Sequence, residues 1–135
     1  MKTPGELQPV SLAVTEAVIQ AYAELSDDFN PIHVDADFAA TTPMGRPIAH
    51  GTLSVCLLWQ CLQRSLGGDA LTGLDLQVRF VKPVHIGDVV TAGGQPGKAG
   101  AEHYDVWVRG QDGSDRIVGV VVLDPRDPAN QGDRA

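Results

Sequence analysis

Basic residues are scarce in this sequence. Ten lysines and arginines stand against 17 aspartates and glutamates, for a formal charge of −7 over 135 residues. Binding a phosphate backbone needs a dense basic surface, and no such cluster is present, which argues against nucleic acid as a partner. Cysteine is scarcer still. The only two, Cys56 and Cys61, fall five positions apart in one predicted helix, on different faces, so a bridge between them is excluded and both read as small core residues. The four histidines, at 33, 50, 85 and 103, show no ligand spacing with the cysteines or with one another, and no metal site is expected. No uninterrupted apolar run approaches a membrane span, and the polar opening Met1 to Glu6 lacks the apolar stretch of a signal peptide. The expectation is a cytoplasmic protein without membrane contact. No internal repeat is visible.

What is present suits one globular domain, since 43% of the residues are hydrophobic and a second domain has no room. Its expected extent is 1–124. The remainder, 125–135, carries two prolines, charges and no apolar periodicity, and reads as a mobile tail. Gln8 to Ala13 is a candidate edge strand. Thr15 caps a predicted helix that runs to Leu25, with Glu16 in its first turn and Val18, Ile19, Tyr22 and Leu25 along one apolar face. Asp35 to Ala40 reads as a short helix capped by Asp35 and anchored in the core by Phe38. Capping accounts for Asp35 and Asp37 better than catalysis does.

Between those two helices lie Asp28, Phe29, Asn30, Pro31, Ile32 and His33. Pro31 rules out a regular helix through this segment and biases Asn30 toward extended geometry, so the preceding helix ends near Ser26 to Asp28 and the chain turns. Asp, Asn and Pro are ordinary loop residues, and a lone histidine after a turn is commonly just a satisfied polar group. A turn held by Asn30 and Pro31 can nevertheless aim the Asp28 carboxylate and the His33 imidazole at one water, as general acid–base chemistry requires. A further segment adds to this. Arg46 to Gly51 leads into a nearly continuous apolar run, Leu53, Val55, Cys56, Leu57, Leu58, Trp59, Cys61 and Leu62, which predicts a buried helix. Its N-terminus near Ala49 to Gly51 offers unpaired N–H groups, and Gly51 has no side chain to obstruct an oxyanion there.

The pattern of Tyr22, Leu25, Ser26, Asp28, Asn30, Pro31, Ile32 and His33, followed by Ala39 and then His50 and Gly51, resembles the (R)-specific enoyl-CoA hydratase motif of MaoC-like proteins. The resemblance implies an α+β hotdog fold, an antiparallel sheet wrapped around one long helix, here Pro47 to Leu66. It also implies that Asp28 and His33 are the catalytic acid–base pair and that the Gly51 N–H binds the thioester oxygen, with Asn30 and Pro31 supporting the loop. An acyl-CoA would be the substrate, and neither a metal nor a redox cofactor would be needed. The chain departs from the pattern at two places. Asp27 stands where many relatives have glycine, and Trp59 where some carry a serine, so its indole either shortens the acyl pocket or faces the core. A polyanionic CoA would need a local basic patch, for which Arg46, Arg64, Arg79 and Lys82 are candidates.

After the long helix, Gly67, Gly68 and Asp69 break the pattern and the period changes to two. Leu74, Leu76, Val78 and Phe80 alternate with polar residues, Pro83 ends that strand, and Ile86 to Ala92 forms the next after a bend at His85 to Asp88. Gly93 to Gly100 is turn-rich. Tyr104, Val106 and Val108 alternate with Asp105, Trp107 and Arg109, and Gln111 to Ser114 supplies a hairpin turn. Ile117 to Leu123 has no polar face, so it is central in the sheet or buried against another subunit. With Trp107 on an otherwise polar face, a homodimer is expected. Three rival functions share these features: dehydration of a carrier-bound or specialised 3-hydroxyacyl thioester, thioester hydrolysis, and a non-catalytic acyl-CoA-binding subunit.

Overall fold

The computed structural model describes residues 5–98 and 102–123. The segment 125–135, expected to be a tail, lies outside them. Strand β1 (Val10–Ala13) leads into helix α1 (Glu16–Ser26), short helices α2 (Pro31–Val34) and α3 (Ala36–Ala40), and the long helix α4 (Gly51–Leu66). A single 3-10 turn at Gly68–Leu71 then precedes strands β2 (Asp75–Phe80), β3 (Val89–Pro96), β4 (His103–Arg109) and β5 (Asp115–Val122). All pairings are antiparallel, in the order β1-β3-β4-β5-β2, and the sheet packs around α4. This is the α+β hotdog architecture.

The packing follows from the two periodicities. Leu57, Leu58, Cys61 and Leu62 put one face of α4 against Tyr104, Val106 and Val108 of β4 and against Val90, Ile117 and Val121 of the flanking strands. Burying a leucine such as Leu58 or Leu62 contributes roughly 2–3 kcal/mol. The opposite face of α4 is open, and Cys56 lies on it; Cys61 alone of the two cysteines is a core residue. Strand β5 lies between β4 and β2, the central place its apolar sequence suggested; Ile117 and Val121 face the core, while Val120 on the other face is 42% exposed. The guanidinium of Arg109 sits 4.0 Å above the Trp107 ring and pairs with Asp115, so that indole is partly covered within its own chain.

Several expectations shift. Residues 47–49 are not helical: Ile48 bridges His85, Ala49 donates its N–H to the Val84 carbonyl at 2.7 Å, and Ile86 donates to the Pro47 carbonyl. These cross-chain partners hold the segment extended, and α4 starts only at Gly51. The second strand of the predicted pair begins three residues late and runs through Gly93 and Gly94, which were expected to turn. Neighbouring atoms explain both glycines. A Cβ at Gly93 would lie 2.9 Å from the Trp107 indole nitrogen, and one at Gly94 would lie 2.7 Å from the Asp105 carbonyl oxygen and 2.8 Å from a Leu7 methyl. Phe38 is 45% exposed and Leu25 is 81% exposed, so neither anchors its helix; Ile19, Ala23 and Ala39 do. Among the described residues no helix is long and apolar enough to cross a membrane.

The bend before β3 is held by a buried ion pair. Asp88 accepts from Arg116 Nη1 at 3.1 Å, from the His85 N–H at 2.9 Å and from the Gln111 amide at 3.2 Å, and Arg116 also reaches the Pro83 carbonyl. Burial by itself raises the Asp88 pKa, but the His85 N–H, the Gln111 amide and the Arg116 charge together bring it below the usual carboxylate value. A lowered folded pKa means stability that is complete above the unfolded value of about 3.9 and is lost as pH falls through the folded one. Asp88→Asn is predicted to cost about 3 kcal/mol at pH 7, by leaving the buried Arg116 short of a counter-charge. Urea melts should show this loss shrinking as pH falls below about 4, as first the unfolded-state carboxylate and then the folded one protonates. The same bend supplies the Val84 carbonyl that receives Ala49, so the pair also braces the chain entering α4.

Candidate active site

Helix α1 delivers the chain to the site. Thr15 Oγ1 accepts the Val18 N–H at 3.1 Å to begin the helix, and Asp27 ends it in the left-handed conformation, with φ 56° and ψ 37°. Asp27 is the one non-glycine with positive φ among the described residues. Glycine adopts that geometry without strain, which gives a physical reason for the glycine expected here from the resemblance. Asp27→Gly is predicted to stabilise the fold by about 0.5–1 kcal/mol while leaving turnover unchanged, as thermal melts and steady-state assays would show.

The loop beyond is more ordered than its sequence suggests. Asp28 Oδ1 accepts the Asn30 N–H at 3.2 Å, and Asn30 Oδ1 in turn accepts the Ile32 N–H at 3.1 Å as the N-cap of α2. Pro31 occupies the first position of that helix, where a missing N–H costs nothing, so proline starts a helical turn here rather than excluding one. His33 is therefore carried on a short helix. Asn30 has the structural role expected of it.

His33 Nδ1 lies 2.8 Å from the Ile48 carbonyl oxygen. A carbonyl only accepts, so Nδ1 carries the hydrogen and Nε2 is left with a free lone pair. His50 Nε2 lies 2.9 Å from the Asp28 carbonyl oxygen, so its hydrogen is on Nε2, and its buried Nδ1 has no partner among the described residues. The two imidazoles stack, centroids 3.8 Å apart and planes 24° from parallel. Tyr22 meets His50 edge-on at 5.0 Å and donates its hydroxyl to Thr52 Oγ1 at 2.8 Å. Burial raises the Tyr22 pKa, while the Thr52 bond acts against that rise. One side-chain donor atom each from Asp28, His33 and His50 lies within 4.8 Å of the others. The carboxylate and the imidazole expected to work together are thus brought to one place.

That spacing also invites a divalent cation, which the separation of the histidines in sequence did not suggest. The ring geometry opposes it. Metal–imidazole bonds of about 2.0–2.1 Å lie in the ring plane, and an ion between two nearly parallel rings would sit off both planes.

The N-terminus of α4 adjoins this cluster, because His50 is its N-cap. With its Nε2–H turned to Asp28, His50 makes no capping bond to its own helix. Gly51 begins the helix in an exposed position, and a Cβ there would lie 2.8 Å from Phe80 Cε1. His50, Gly51, Ser54, Phe80, Lys82 and Arg116 line a cavity of about 270 Å³ beside it. Of the basic candidates, Lys82 reaches this cavity, whereas Arg64 sits in the last turn of α4, about 20 Å along the helix. Trp59 packs partly against the core and lines a separate groove with Leu53, Cys56 and Leu71, away from Gly51. Sequence reading placed His50 in the motif but assigned it no task; its position immediately before Gly51 was the available signal.

Residues 3–102 match the family model described as MaoC like domain, and the chain belongs to that family. Over 88 residues, 65% of this chain, it is 42% identical to the (R)-specific enoyl-CoA hydratase of Aeromonas caviae and equally to that of Rhodospirillum rubrum. The matched stretch spans less than two thirds of either relative, 66% and 61% respectively. Among solved structures, the (R)-hydratase from A. caviae superposes with a TM-score of 0.75 at 32% identity, covering 91% of this chain and 97% of that one. An R-hydratase from Pseudomonas aeruginosa in the unliganded form gives 0.77 at 26%, covering 92% and 81%.

Proposed function

We propose that this chain is an (R)-specific enoyl-CoA hydratase, adding water to a trans-2-enoyl-CoA to give the (R)-3-hydroxyacyl-CoA, and running the reverse. The observation that carries the reading is the convergence of the Asp28 carboxylate and the His33 imidazole next to the uncapped N-terminus of α4. Relatives named for this activity support it.

The chemistry follows from the donor and acceptor inventory. His33 Nδ1–H is committed to Ile48, so only Nε2 exchanges protons during turnover. A water held between that lone pair and the Asp28 carboxylate donates a hydrogen bond to each. As its oxygen bonds to C3, Asp28 takes one proton and the second stays on the new hydroxyl; the proton on Asp28 passes to His33 Nε2, which delivers it to C2 and returns to its neutral form. Electron density moves onto the thioester oxygen, where the Gly51 N–H and the positive end of α4 stabilise the developing enolate. The substrate is neither oxidised nor reduced, and every proton transfer has a side chain to perform it, so the proposed mechanism calls for no redox cofactor and no metal.

The substrate is taken as a soluble acyl-CoA, with Lys82 lining the cavity at Gly51 beside Arg116, whose charge is paired with Asp88. We also infer a homodimer. Among the described residues strand β2 pairs on one side only, and Phe80 at its end and Val81 just beyond are 57% and 50% exposed, an apolar open edge of the kind a second copy would cover. Light scattering should give a mass near twice 14.3 kDa. The activity is tested by offering trans-2-enoyl-CoA of several chain lengths and resolving the alcohol on a chiral phase. An (R)-alcohol is expected. An (S)-product, no hydration, or release of free CoA thiol would each overturn the assignment.

A further inference from the structure

His50 is among the most buried polar residues of the described chain, 3% exposed, and the acid–base chemistry proposed above does not use it. Its surroundings are unusual for a helix N-cap. The residue in that position normally turns its side chain back to the first N–H groups of its own helix. His50 instead points its Nε2–H outward to the Asp28 carbonyl, leaves Nδ1 buried without a partner, and lays its ring against that of His33. An unpaired buried nitrogen and a forgone cap both cost stability. What they obtain is a single side chain touching both halves of the acid–base pair.

We propose that His50 is a positioning residue that sets the geometry of Asp28 and His33 together; the proposal rests on the hydratase reading of this site. The Asp28 peptide is held at both ends, by its own N–H to the Ala23 carbonyl of α1 at 3.0 Å and by its carbonyl to His50 at the tip of α4. Its carboxylate, by contrast, accepts among the described residues only from the Asn30 N–H at 3.2 Å. Its aim therefore depends on where the backbone is pinned. His33 is fixed in tautomer by Ile48 and in ring orientation by the His50 face at 3.8 Å. Tyr22, edge-on to His50 and tied to Thr52, packs against the same ring. A shift of His50 thus moves the base and the imidazole relative to the water between them, and a misplacement of about 1 Å at a reacting centre costs on the order of a hundredfold in rate. Because Gly51 follows directly, the same residue also sets the distance from the pair to the oxyanion-binding amide.

Two substitutions separate its bond from its ring. His50→Phe keeps an aromatic face for His33 but has no donor for the Asp28 carbonyl; His50→Gln restores an N–H donor without the stack. His50→Phe is expected to lower kcat by about thirtyfold with KM within threefold, and His50→Gln to recover part of that loss. Long-range nitrogen–proton NMR of the four histidines in the wild-type protein gives a reading independent of any variant's folding. His50 should carry its proton on Nε2 alone and His33 on Nδ1 alone. A kcat for folded His50→Phe within threefold of wild type, or either histidine in the opposite tautomer, overturns the proposal. If His50→Phe does not fold, the wild-type tautomers and His50→Gln decide it. Asp28→Asn run alongside keeps the two readings apart: a normal rate there sinks the hydratase assignment, whereas an inactive Asp28→Asn beside a fully active His50→Phe sinks only the role of His50.

Discussion

Asp28→Asn is expected to cut turnover of a trans-2-enoyl-CoA by about a hundredfold or more without unfolding the protein. The substitution preserves shape and removes one property. Asparagine retains an Oδ1 that can accept the Asn30 N–H, and the backbone bonds from Asp28 to Ala23 and His50 do not involve the side chain. The residue is exposed, so no buried charge is stranded by the change. What disappears is the capacity to take a proton from water as the C–O bond forms. Steady-state kinetics should show the loss in kcat, with thermal melts of the two proteins agreeing to within a few degrees. A variant that hydrates enoyl-CoA at near wild-type rates would remove the principal base from the mechanism.

A similar loss, again about a hundredfold or more, is expected from His33→Gln. Here the reasoning passes through the tautomer. The Ile48 carbonyl holds the hydrogen on Nδ1, so the group facing the substrate water is the Nε2 lone pair. A glutamine amide can offer an N–H to Ile48, but neither of its ends accepts a proton as imidazole does. His33 is only half-buried, so the fold should tolerate the exchange. The combined Asp28→Asn, His33→Gln protein should fall little further than the weaker single variant, because groups that act on one water as a unit do not contribute additively. A product of the two losses would instead mean that each works on a separate step.

The elements legible in the sequence were those whose signals are local. Thr15 as a cap, the extent of α1 and the alternation of Tyr104, Val106 and Val108 each concern residues within a turn or a strand of one another, and the structure agrees with each, although Leu25 at the end of the α1 face is exposed. Errors arose where a distant neighbour decided the outcome. Gly93 and Gly94 have the look of a turn, yet they are small because Trp107 and Leu7 occupy the space their side chains would need. Residues 47–49 resemble the start of a helix until Val84 and His85 bind them from the side. Pro31 stops the helix before it, yet at the first position of α2 it favours a new one, which depends on Asn30 capping that turn.

The candidate site divides along the same line. Asp28, Asn30, Pro31 and His33 lie within six positions, and a proline and an Asx cap suffice to bend so short a segment, so their grouping was decided by sequence alone. Sixteen residues lie between His33 and His50, and nothing in that interval encodes their stacking. Only the docking of α2 beside the segment entering α4 brings the second imidazole under the first, assigns a tautomer to each through the Ile48 and Asp28 carbonyls, and sets the bare end of α4 alongside. Hydrogen-bond partners across a fold are chosen by packing, and packing is a property of the whole chain rather than of any one stretch of it.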